Sequence, residues 1–87
     1  MILYHVTTEK KAKLYRQTGF IAKPVRGFTT IYGALAWAVK IGRKVIYEIN
    51  GSPAYKLPDH HNQFGDAWWI DADVNNFNCV FSADNDA

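Results

Sequence analysis

The chain has 87 residues, 48% of them hydrophobic and 15% aromatic, and a net charge of +2. That makes one small domain, which buries roughly 60–65% of the surface its unfolded chain exposes, and it is too rich in apolar side chains to be disordered. The single cysteine, Cys79, excludes an internal disulfide and a multi-cysteine zinc site.

No apolar run approaches the roughly 20 residues that a membrane helix needs. The start MILYHVTTEKK also lacks the order of a signal peptide, so the expectation is a cytoplasmic protein with no membrane contact. The small net charge conceals a dipolar sequence: residues 1–50 hold nine Lys/Arg against two Glu, and residues 51–87 hold one Lys against six Asp. A basic half attracts the phosphates of a nucleotide or nucleic acid. The plainer alternative is that the two halves neutralise one another across the fold.

In chain order, residues 2–6 (ILYHV) are β-branched and aromatic, which predicts a strand, and Thr7 or Thr8 can cap the helix that follows. The stretch TEKKAKLYRQTG carries Ala12, Leu14 and Tyr15 as apolar positions, an acid in its first turn, a base in its last and Gly19 as a left-handed cap. FIAKPVRGFTT reads as an extended piece, a proline turn and a second short strand at 27–30, because Pro24 biases Lys23 away from helix.

TTIYGALAWAVKIG repeats the grammar of threonine cap, helical spacing and terminal glycine. RKVIYEIN alternates and is the clearest strand, closed by the turn residues NGSP. AYKLPDHHNQFGD is expected to be mostly loop with a short strand at 54–57, while AWWID and NFNCVFS are two more strands. The expected architecture is a single α+β domain over residues 1–82, with two helices packed on a bent or split, mostly antiparallel sheet, and residues 83–87 as a polar tail.

His5 lies inside an apolar strand and shares a face with Leu3 while Tyr4 and Val6 share the other. A lone strand histidine is most often a neutral, hydrogen-bonded core residue; the order of elements around it gives this one a second reading. His5-Val6-Thr7, Thr18-Gly19-Phe20-Ile21, Gly27-Phe28-Thr29-Thr30 and Ala34-Leu35-Ala36-Trp37-Ala38 follow in the order found in one known group, and AWWIDADVNNFNCVF is similar to the end of its RNA 2′-phosphotransferase branch. The chain resembles the ADP-ribosyltransferase-like superfamily over nearly its whole length.

That resemblance implies an NAD site. His5 would hydrogen-bond the nicotinamide ribose with Thr7 as its polar companion, and Phe28, followed by Thr29, would stack on the ring. A carboxylate would steady the positive centre that forms as nicotinamide leaves. The family's late Glu is missing here; Asp66 is the nearest equivalent, with Asp71 and Glu48 as further candidates. Arg16, Arg26 and Arg43 are available for phosphate. The resemblance implies transfer of ADP-ribose or of an RNA phosphate to an acceptor protein or nucleic acid. Two other classes stay open: a non-catalytic interaction or inhibitor module on the same fold, and a small RNA- or DNA-binding domain.

Several residues have plainer expected roles. Trp37 sits in an alanine-rich helix and is expected in the core rather than at a ligand. Trp68 and Trp69 must point to opposite faces of their strand. The DHHNQ cluster has no third ligand at a recognised spacing, so no metal site is expected.

Overall fold

A computed structural model describes residues 1–83, with side-chain surroundings not assigned at 59–62. The elements are β1 (Ile2–Thr7), α1 (Glu9–Thr18), β2 (Val25–Phe28), α2 (Ile31–Ile41), β3 (Val45–Asn50), β4 (Tyr55–Asn62), β5 (Gly65–Ile70) and β6 (Phe77–Ser82). The six strands form one sheet in the order β4-β5-β2-β1-β3-β6, and every pairing is antiparallel. The expected α+β class with two helices on an antiparallel sheet is what the chain adopts.

Both helices are bounded as their sequences dictate. Thr8 accepts a hydrogen bond from the Lys11 amide and Gly19, at φ 83°, closes α1; Thr30 accepts from the Gly33 amide and Gly42, at φ 73°, closes α2. Thr8 therefore takes the cap, and Thr7 is left to turn into the interior.

Strand alternation sorts the core into two halves. Leu3, Val25, Val45, Tyr47, Ile49 and Ile70 pack with Ala12 and Tyr15 of α1. Val6, Phe28, Ile46 and Ala67 pack with Ala34 and Ala38 of α2. Neighbouring strand residues fall in different clusters, so the helices lie on opposite faces of the sheet.

Two sequence expectations shift. The second strand covers Val25–Phe28 rather than 27–30, because Thr29 and Thr30 are drawn into the join with α2 and hydrogen-bond the β4–β5 turn region. The stretch after Pro53 is a strand from Tyr55 to Asn62 rather than mostly loop. Pairing of Tyr55, Lys56 and Leu57 with β5 supplies the ladder partners that local propensity did not. Pro58 is tolerated because β4 is an edge strand. The expected polar tail lies outside the described residues apart from Ala83, which donates its amide to the Lys44 carbonyl. Among the described residues, no helix is long and apolar enough to cross a membrane.

The feature that positions a site is the join between β1 and β2. Their registered pairing is Tyr4 opposite Phe28, whereas β1 is paired with β3 along its whole length from Ile2 to Thr7. From His5 onward no residue of β1 is registered with β2, so the ladder between them opens there although both strands stay in one sheet. Gly27 marks the crossing: a Cβ at this position would sit 2.7 Å from the Leu3 Cβ.

Candidate functional site

The split between β1 and β2 opens a cleft of about 600 Å³. His5 and Val6 form one lip and Pro24 and Arg26 the other. The two helices enclose it from opposite faces of the sheet, α1 with Lys11, Leu14 and Tyr15 and α2 with Trp37 and Ile41. Phe28 lies beneath, 3% exposed and 6.2 Å from Trp37 between ring centroids, so the expected stacking ring is instead a core residue that backs the cleft floor, and Arg43 stands just past the end of α2.

His5 is fixed at both ring nitrogens. Nδ1 lies 2.7 Å from the Arg26 carbonyl oxygen, which can only accept, so Nδ1 carries the proton. Nε2, 3.2 Å from the Tyr15 hydroxyl, then accepts from it. The Thr7 hydroxyl in turn donates to the Tyr15 oxygen at 3.3 Å. The chain Thr7 to Tyr15 to His5 to the Arg26 carbonyl is complete with a neutral imidazole. Burial brings the His5 pKa down from 6.5 to about 4; the bond to Arg26 opposes this, and the charges of Lys11, Arg43 and Arg26 add to it.

The electrostatics of the lining follow from the basic first half of the sequence. Lys11, Arg26 and Arg43 converge on the cleft, and among the described residues no carboxylate lines it. Lys40 adds a fourth cation beside the same wall, 5.7 Å from the Trp37 ring centroid. The half-buried indole of Trp37 with cations around it suits a ligand that joins an aromatic ring to an anion.

The structure brings four of the sequence-selected residues together here: His5, Phe28, Arg26 and Arg43. Thr7 is fully buried behind them and reaches the cleft through Tyr15. Arg16 lies on α1 and donates to the Tyr47 hydroxyl at 3.3 Å, outside the lining. Thr29 and Asp66 are coupled elsewhere: the Asp66 amide donates to Thr29 Oγ1 at 3.0 Å and the Thr29 amide to the Asp66 carbonyl at 2.9 Å. The Asp66 carboxylate pairs with Lys56 at 3.5 Å. Asp71 is exposed beyond the end of β5, and Glu48 is half-buried on β3 opposite Tyr4; neither lines the cleft.

Sequence reasoning passed over three contributors. Trp37 packs half-buried against the core as expected and also lines the cleft; Tyr15, read as a packing residue, carries the hydroxyl that joins His5 to Thr7; Lys11, read only as a helix residue, supplies charge. The i, i+4 spacing of Lys11 and Tyr15 on α1 was the available signal.

No family model, curated protein or solved structure matches the chain. Among the described residues, no group of His, Cys, Asp and Glu side chains is arranged to hold a metal ion.

Proposed function

We propose that this chain is an ADP-ribosyltransferase-like domain whose cleft binds NAD or a related nucleotide. The observation that carries the reading is the pairing of one half-buried aromatic wall, Trp37, with three cations, Lys11, Arg26 and Arg43, in a cleft without a carboxylate among the described residues. A nucleotide offers the matching chemistry, a planar base on a polyanion. A base would lie against Trp37 and the phosphates beside the arginines, where bidentate pairing is strongest.

The cleft's own residues support binding rather than carboxylate-assisted cleavage. Asp66, the nearest candidate for the missing Glu, is engaged by Lys56 and stands outside the lining. His5 is held by Arg26 and Tyr15, so a ribose hydroxyl that approaches Nε2 must displace the Tyr15 hydroxyl.

The test is a titration of NAD and of AMP followed by Trp fluorescence and amide NMR, comparing the wild type with Arg43→Ala. Saturable binding, weakened about tenfold by loss of the guanidinium, is expected. Absence of any saturable change at millimolar ligand would sink the proposal.

A further inference from the structure

We infer that the cleft opens onto a path for single-stranded nucleic acid along the row Arg26, Trp69 and Tyr55, which ends on the exposed ring of Tyr55 as the stacking face for a base. The inference rests on the reading of the cleft as a nucleotide site and names the larger ligand of which that nucleotide is one unit.

Arg26 is opposite Trp69 across β2 and β5, and Trp69 is opposite Tyr55 across β5 and β4. The three side chains therefore stand in line on one face, each one strand from the next, at roughly 4.8 Å per strand. The Arg26 guanidinium carbon is 5.7 Å from the Trp69 ring centroid. The Trp69 and Tyr55 rings stack with centroids 5.8 Å apart and planes 19° apart. Since Arg26 also lines the cleft, the row begins at the nucleotide site and runs to the edge strand β4, where Tyr55 is 51% exposed.

Arg26 and Tyr55 cover the two faces of Trp69, so the ring face offered to a base is the outer one of Tyr55 at the sheet edge, a flat surface without a pocket that suits bases of any sequence and does not select one. The charges agree. Lys11, Arg26 and Arg43 lie at the inner end of the row, and strand alternation puts Asp66 and Lys56 on the opposite face of β5 and β4. A peptide could also stack on Tyr55. Only a strand whose repeating unit is a base with a phosphate matches both the rings and the cations that continue into the cleft.

The test compares AMP with a fluorescently labelled single-stranded oligoadenylate of about six nucleotides, on the wild type, Tyr55→Ala and Tyr55→Phe. Tyr55 is exposed, so its replacement leaves the core intact. The oligonucleotide is expected to bind more tightly than AMP, and Tyr55→Ala to remove about tenfold of that gain. Tyr55→Phe should keep the gain, and AMP affinity should be the same in all three. The logarithm of the oligonucleotide affinity should fall with the logarithm of salt with a slope of about −2, for three cations. Equal affinity for AMP and oligonucleotide, or a gain that survives Tyr55→Ala, overturns the row and leaves the cleft standing. Oligonucleotide binding that depends on Tyr55 without any AMP binding removes the nucleotide reading of the cleft and keeps the row. No binding of either ligand at low salt removes both.

Discussion

The Tyr15 hydroxyl lies between two β1 side chains, 3.3 Å from the Thr7 hydroxyl and 3.2 Å from His5 Nε2. One oxygen on α1 thus satisfies a fully buried threonine and orients the histidine at the lip of the cleft. Tyr15→Phe should leave both partners short of a hydrogen bond while keeping the ring's packing against Tyr47 and Phe77. A loss of about 1–3 kcal/mol in urea denaturation is expected. A variant as stable as the wild type would show that the hydroxyl is not needed there.

His5 gives the fold a pH dependence whose sign follows from its low pKa. Its folded value, about 4, is below the 6.5 of the unfolded chain, so between these values the unfolded state binds more protons. The stability it contributes is fully present above about pH 6.5 and is lost as pH falls through about 4. The difference in unfolding free energy between wild type and His5→Gln should shrink by on the order of 2–3 kcal/mol across that range. The variant subtracts the carboxylates, which titrate in both proteins. A difference that stays constant with pH would contradict the burial of a neutral imidazole.

Gly27 is where β1 and β2 cross, and there a side chain has no room. The Cβ of Gly27→Ala would meet the Leu3 Cβ at 2.7 Å, next to the backbone of a fully buried residue that cannot swing aside. The cost should be about 2 kcal/mol or more, seen as a lower Tm. Because this crossing sets the split between the strands, ligand affinity in the cleft should fall with it.

Asp66 and Arg43 separate two views of the site. Asp66→Asn removes a partly exposed ion pair with Lys56, 3.5 Å long, so stability should change by less than about 1 kcal/mol. Nucleotide affinity should stay within about twofold of the wild type, whereas Arg43→Ala should weaken it about tenfold. Isothermal titration of the two variants side by side checks this. A large loss of affinity in Asp66→Asn would restore the aspartate as a ligand residue.

The sequence by itself determined the local elements. Thr8 and Thr30 ahead of helical periodicities, Gly19 and Gly42 behind them, and the alternation of VIYEIN specify two helices and the clearest strand through interactions among near neighbours in the chain. It also placed His5, Phe28, Arg26 and Arg43 as candidates, because their residue types and order are local properties. It did not specify β4, whose proline-containing stretch becomes a strand only when β5 supplies its hydrogen-bond partners. Nor did it show that Trp37 would face the cleft, that Tyr15 would bridge Thr7 and His5, or that Asp66 would turn to Lys56. Those outcomes depend on which strands part and which helix covers each face. Only the tertiary structure decided them, because the split at Tyr4 opposite Phe28 brings together side chains distant in the sequence.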